Sequence, residues 1–255
     1  MGLDIYAGTL TRYYSHNWKT SVQRWAEENG YTFSKVTPDG TPVSEDSPDP
    51  AEVERDVKEW RDTLLKVLSP EDGAYAPWDE DNYREYFTSK PDWDAYGALL
   101  LYRSCLLYEE ECPKIVQKGM DFYAHPVLKR AMEEETLNWS LYIGAEWWIP
   151  LQDTFSFQCQ NPCGNPIVMG TTGTLLAELD RINSMGWKAD QDIILSWSST
   201  EGYPQDGQIT ADGMVNPLKE VTEYDTNSLA KFAFSILYEA ALFSMDNRVP
   251  ILLDY

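Results

Sequence analysis

The sequence predicts an α+β fold: a single helix-rich domain with a small mixed β-sheet and a central, buried C-terminal helix. Three observations predict it. Segments with helical periodicity outnumber those with strand alternation, and the two kinds do not alternate along the chain, which argues against a doubly wound parallel sheet. Between Asp225 and Asp246 apolar residues occupy nearly the whole circumference of a helix, with only Lys231 and Glu239 charged inside the span, the pattern of an element surrounded by protein. Hydrophobic residues make up 43% of the 255 positions and aromatics 13%, ample for a packed interior without disulfide staples.

In chain order, Leu3, Ile5 and Ala7 alternate with Asp4 and Tyr6 as in a half-buried strand. Trp18, Val22, Trp25 and Ala26 recur at helical spacing between Asn17 and Asn29, and Gly30 stops that helix. Residues near 36–50 and 69–91 are rich in Pro, Gly, Ser and Asp and read as exposed acidic loops. Between them Asp49 caps a helix with Pro50 in its first turn, Glu52 completes a capping-box pattern, and Val53, Val57, Trp60, Leu64 and Leu68 line one face. Helices follow over 92–109 and 126–135. Leu137, Trp139, Leu141 and Ile143 then share one parity, and a strand that continues keeps Trp147 and Ile149 on it. A loop carries Cys159 and Cys163, a short strand covers Pro166–Met169, and Thr172–Met185 is helical. Residues 191–198 fit either helix or strand. Ala211-Asp212-Gly213 suggests a turn between two short strands, and "VPILLDY" is a closing strand.

Charge narrows the function classes. With 42 acids against 20 bases the formal charge is −22, so nucleic acid and anionic membranes are repelled and neither is an expected partner. The first residues lack the basic region and apolar core of a secretion signal, which points to the cytoplasm. Four cysteines in that compartment read as reduced thiols. Cys159-x3-Cys163 resembles a metal knuckle in spacing, but Cys105 and Cys112 are seven apart and do not form the second tight pair a zinc site uses. No metal and no cofactor are expected.

Gly170-Thr-Thr-Gly173 lies between a predicted strand and helix but lacks the Lys of a phosphate loop and the third glycine of a dinucleotide fingerprint, so its plain reading is a threonine cap after a tight turn. Glu146, in "GAEWWIP", shares its predicted strand face with Tyr142 and Trp148. A carboxyl beside indole rings loses water and becomes a candidate general acid, and Tyr and Trp stack on sugars. Thr11–Lys19, "TRYYSHNWK", gathers Arg12, Tyr13, Tyr14 and one of only two histidines, His16, at a strand-to-helix junction. The candidate ligand-binding residues are therefore Arg12, Tyr13, Tyr14, Tyr142 and Trp148, with Glu146 and His16 as candidate catalytic groups.

Residues 37–100 hold 17 acids and 6 bases, and Glu52, Asp56, Glu59 and Asp62 face away from the apolar stripe of their helix. The expectation that follows is a non-enzymatic, inhibitor- or immunity-like protein whose acidic surface steers a basic protein partner. The alternative is an enzyme or binding module for a neutral polar ligand such as a carbohydrate. A concave pocket containing Glu146 or His16 favours the alternative.

Overall fold

A computed structural model of the chain describes residues 2–32, 48–69, 73–134, 139–204, 207–209, 215–217 and 222–255. Its elements are β1 (Asp4–Ala7), α1 (Leu10–Tyr14), α2 (Ser21–Glu28), α3 (Pro50–Leu68), β2 (Phe87–Ser89), α4 (Asp92–Leu107), β3 (Ile115–Gln117), α5 (Pro126–Glu133), β4 (Trp147–Ile149), β5 (Ser156–Gln160), β6 (Pro166–Thr171), α6 (Thr172–Met185), α7 (Gln191–Thr200), β7 (Gly207–Ile209), β8 (Val215–Pro217), β9 (Glu223–Asp225), α8 (Thr226–Asn247) and β10 (Ile251–Asp254). A six-stranded mixed sheet, two two-stranded sheets and eight α-helices among the described residues make the fold α+β. The chain divides into two compact units.

The sheet unit comprises Asp4–Lys90, Ala145–Gly173 and Ala240–Tyr255. Its strands lie in the order β2-β1-β10-β4-β6-β5, antiparallel at every pairing except β4 with β6. The register aligns Tyr6, Leu252, Trp147, Met169 and Phe157 in one row across five strands. Alternation puts such a row on one face of the sheet. The first four belong to one buried cluster with Val57, Leu64 and Leu65 of α3, and Trp60 packs on the same cluster. Asp49 caps α3 by accepting from the Ala51 N–H at 3.0 Å, so the helix begins where its cap and proline predict.

Several local expectations are corrected here. Leu10–Tyr14 is a helix of its own, and α2 starts only at Ser21 because Thr20 and Gln23 form its capping box. Trp18 therefore precedes the helix and does not lie on its inner face. The 69–91 segment contains β2 and buries Trp78, Glu80 and Asn82. Cys159 lies in β5. No turn separates β6 from α6: the Thr172 hydroxyl donates to Ile149 O at 3.1 Å, the Thr171 hydroxyl donates to Asp153 O, and a Cβ on Gly173 would lie 2.0 Å from Gln152 O. Gly170–Gly173 is thus a clamp on the 149–153 segment. Residues 36–47 and the expected Ala211–Gly213 turn lie outside the described residues, and β7 and β8 pair antiparallel.

The helical unit comprises Met1–Leu3, Pro91–Gly144 and Thr174–Glu239. Within it α4 packs on α5 and on a 3-10 turn at Phe122–Ala124. Gly97 makes that approach possible, since a Cβ there would meet the Phe122 ring at 2.4 Å. β3 pairs antiparallel with β9. Residues 191–200 resolve as helix, with Asp190 accepting from Ile193 N–H as the cap. Tyr102 stacks on Trp187 with ring centroids 4.5 Å apart, and Trp187 meets Trp197 and Phe234 edge-on.

The expected strand over 137–149 is shorter than its alternation suggested. Residues 140–144 form turns, with the Tyr142 and Ile143 N–H groups both donating to Trp139 O, and Gly144 has a φ of +73°. Among the described residues of this stretch the strand is Trp147–Ile149, with Glu146 adding backbone hydrogen bonds at its start.

Among the described residues α8 is the one helix long and apolar enough to cross a bilayer, and 56% of its most apolar window is buried in the fold. Leu229, Ala230, Ala233, Phe234, Ile236, Leu237, Ala240 and Ala241 are all essentially without solvent contact. The nearly all-apolar circumference read from the sequence is that of a core helix. Truncating Ile236 to alanine is expected to cost about 2–5 kcal/mol, measured by chemical denaturation. A loss below about 1 kcal/mol contradicts its burial.

Candidate functional site

The site grows from the junction after β1. Gly8 is obligatory there, because a Cβ would lie 2.4 Å from the Tyr6 hydroxyl oxygen, and that hydroxyl donates to Thr9 O at 2.9 Å. Thr9 then caps α1 by accepting from Arg12 N–H and donates its own hydroxyl to Asp81 O at 2.6 Å. A five-residue helix has too few internal bonds to stand alone. Its support is Glu80, a buried carboxylate that accepts from Leu10 N–H (3.3 Å), Thr11 N–H (2.9 Å), the Thr11 hydroxyl (2.9 Å) and the Trp78 indole N–H (2.8 Å). Burial pushes the Glu80 carboxyl up, and these donors pull it back toward ionisation.

At its other end α1 stops in a Schellman turn. Asn17 N–H donates to Arg12 O and His16 N–H to Tyr13 O, with His16 at φ +54° where glycine is the usual occupant. The turn sends Trp18 back over β1, where its ring lies 4.9 Å from Tyr6 and 5.6 Å from Tyr13 between centroids. Lys19 N–H donates to the Tyr86 hydroxyl at 2.9 Å, and the Thr20/Gln23 capping box begins α2.

These segments and β10 enclose a recess of about 370 Å³ lined by Tyr13, Tyr14, His16, Trp18, Thr20, Gln23 and Asp254. The Tyr13 hydroxyl donates to Asp254 Oδ1 at 2.5 Å. The Tyr13 and Tyr14 rings meet at 85° with centroids 5.2 Å apart, whereas Tyr13 and Trp18 lie within 21° of parallel. Burial pushes both phenols up, Tyr13 further through the Asp254 charge and Tyr14 through the Cys163 thiol, so both remain hydrogen-bond donors at neutral pH.

The cations of the same stretch point elsewhere. Arg12 donates to Asn17 O and Arg84 O, both at 2.6 Å, and its guanidinium lies 4.4 Å from the Tyr86 ring centroid. Arg24 lies over the same ring at 4.2 Å. Lys19 pairs with Glu27 at 2.6 Å. Arg12, expected at a ligand, is thus bound to the 84–86 segment.

Of the other candidates, Glu146 enters the ladder through its backbone, donating to Val168 O and accepting from Leu253 N–H. Its parity puts its side chain on the sheet face opposite the Tyr6–Leu252–Trp147 row, and hence opposite Asp254. Trp148 is fully buried at 0% exposure. Tyr142 belongs to the helical unit, where its hydroxyl shares a 2.8 Å hydrogen bond with Ser104. On α3, Glu52, Asp56, Glu59 and Asp62 are exposed as expected. Asp56 pairs with Arg55 at 3.1 Å and Asp62 with Arg61 at 2.7 Å, which neutralises part of that face.

Tyr13, Tyr14 and His16 were legible as a cluster. Trp18, Thr20, Gln23 and Asp254 were not, although Thr20-x-x-Gln23 carries the capping-box pattern. Asp254 is brought in by strand pairing 241 residues from Tyr13, which no local pattern encodes. Among the described residues no group of three His, Cys, Asp or Glu side chains is placed to hold a metal ion.

The helical unit holds a second polar cluster. Glu178, buried, accepts from the Ser140 hydroxyl at 2.9 Å, Ser140 N–H at 2.5 Å and Leu141 N–H at 3.2 Å. Arg103, also buried, lies over the Trp139 and Tyr142 rings at 3.1 and 4.3 Å. Burial raises Glu178 to about 7 against the pull of those donors and of Arg103. This carboxylate ties α6 to the 140–144 turn, a structural task.

No protein-family model, curated protein or solved structure matches the chain.

Two stability measurements follow from the buried carboxylates. Glu80→Ala strands four donors and is expected to cost on the order of 3 kcal/mol, with loss of the near-ultraviolet signal of the Tyr13/Trp18 pair. Glu178 titrates in the folded state above its ordinary 4.5, so its contribution is fully present below about pH 4.5 and is lost as pH rises through about 7. Between pH 5 and pH 8, wild type should lose about 2–3 kcal/mol relative to Glu178→Gln in urea titrations. Parallel pH profiles would show that the carboxyl is ionised throughout.

Proposed function

We propose that this protein binds a small polar ligand in the recess of the sheet unit. The observation that carries the reading is convergence: α1, the turn after it, the start of α2 and β10 each contribute side chains to one concave site containing His16. Its volume of about 370 Å³ lies at the small end of ligand pockets, which run from about 300 to 1,000 Å³. Flat aromatic walls supply contact area, and Asp254, Thr20 and Gln23 supply the few polar groups that orient a ligand. The sequence-level alternative is thereby preferred, with Tyr13, Tyr14, His16 and Trp18 in place of Glu146, Tyr142 and Trp148.

Capture of a basic protein on α3 is the second reading. Glu52 and Glu59 are exposed and form no ion pair among the described residues, and the overall charge of −22 would accelerate such an encounter. Against it, Glu54, Asp56 and Asp62 are each paired with a cation on the same helix.

Ligand-detected NMR against a library of small polar metabolites separates the two. Compounds that bind wild type should lose at least tenfold in affinity on Tyr14→Leu and be unaffected by reversing Glu59 and Asp62 to lysine. Absence of any hit at millimolar concentration, with a host protein retained by wild type at low salt and lost on the Glu59/Asp62 reversal, favours the acidic face instead.

A further inference from the structure

The chemistry of the recess can be narrowed. We infer that it takes a cationic ammonium group, with the Asp254 carboxylate as counter-charge and the Tyr13, Tyr14 and Trp18 rings as walls. The inference rests on the ligand-binding reading above and adds the ligand class.

Charge is the first argument. Asp254 forms one hydrogen bond among the described residues, from the Tyr13 hydroxyl to Oδ1, and no ion pair. Among the described residues, the cations from this stretch through α2 are used elsewhere: Arg12 and Arg24 on Tyr86, and Lys19 on Glu27. Among the described residues that line the recess, Asp254 is the one carboxylate and no Lys or Arg is present. An anionic ligand would meet Asp254 and the field of a −22 chain.

Ring geometry is the second. An ammonium is attracted to the faces of aromatic rings, most strongly when more than one face is available, and desolvation inside a recess strengthens the attraction. Tyr13 and Trp18 are nearly parallel while Tyr14 stands perpendicular to Tyr13, so the wall presents two ring orientations meeting at a corner. The Tyr13 phenol stays protonated and donates to Asp254, which fixes the carboxylate against the aromatic wall. A sugar would stack on the rings and donate hydroxyls to Asp254 but would leave its charge unbalanced, whereas an ammonium meets both the rings and the charge.

The test uses the full chain and isothermal titration with choline, its uncharged isostere 3,3-dimethylbutan-1-ol, glucose, and a trimethyl-lysine amide. The last distinguishes an ammonium carried on a peptide from a free small amine. Choline or the trimethyl-lysine amide should bind at least tenfold more tightly than the isostere, whichever of the two is stronger naming the source. Asp254→Asn keeps an acceptor for Tyr13 and so the fold, checked by circular dichroism, and should weaken the cation roughly tenfold without affecting the isostere. Trp18→Leu should weaken it comparably. Equal affinity for choline and the isostere, or an unchanged Asp254→Asn, overturns the ammonium assignment. If glucose or another uncharged compound binds and is lost on Tyr14→Leu while the cations do not bind, the ammonium inference fails and the ligand pocket stands. If none of these probes and no library compound binds, both fail.

Discussion

The recess depends on one buried carboxylate. Helix α1 is five residues long, yet it supplies Tyr13 and Tyr14 and leads into the turn that carries His16. Glu80 joins the first two N–H groups of that helix, a threonine hydroxyl and the Trp78 indole through its two oxygens. Removing such a group from water is costly, and only full use of its lone pairs offsets the cost. The negative charge also sits at the positive end of the helix. Without it the N-terminal amides of α1 would need water in a region the fold keeps dry. The acidic 78–86 segment, which by composition belongs outside, is drawn inward for this reason.

That segment also explains the fate of the local cations. Tyr86 offers its ring to Arg12 and Arg24 and its hydroxyl to Lys19 N–H, and the carbonyls of Tyr83 and Arg84 accept from Arg12. The guanidinium groups therefore hold the wall of the site from behind. In an acidic chain this separation matters. Each arginine could have paired with a carboxylate, but two are used against an aromatic ring and backbone carbonyls, and Asp254 has no ion pair among the described residues.

How far the sequence could be read follows from the range of each interaction. Elements defined by their own periodicity and caps were legible: α3 from Asp49-Pro50 and its apolar stripe, α6 from Leu175, Leu179 and Ile182, and α8 from its apolar circumference. Elements that exist because of a distant partner were not. α1 needs Glu80, 69 residues away from Thr11, and β2 has only three residues and is defined by its pairing to β1. The failure at 137–149 has another cause. Alternation at Leu137, Trp139, Leu141 and Ile143 satisfies a strand template, but Glu178 gathers the N–H groups of Ser140 and Leu141 on a single carboxylate, which an extended strand does not present to one acceptor. Glu146 and Trp148 do share a sheet face by parity, and it is Tyr142 that the false part of the strand adds to them. Tyr13, Tyr14 and His16 were grouped by adjacency in sequence, which the Schellman turn preserves in space.

The two functional readings can be weighed by where charge is left uncompensated. On α3, the sequence shows a dense run of acids, but Arg55, Lys58 and Arg61 are interleaved at helical spacing and pair with Asp56, Glu54 and Asp62. Exposed pairs of this kind add little stability, yet they lower the potential a partner would encounter. In the recess the arithmetic runs the other way. Few acids are present, but Asp254 forms no ion pair among the described residues while Arg12, Lys19 and Arg24 are turned to other acceptors. Recognition is determined by the charge left after internal pairing, and by that measure a single aspartate behind an aromatic corner is a sharper feature than the acidic helix that dominates the composition.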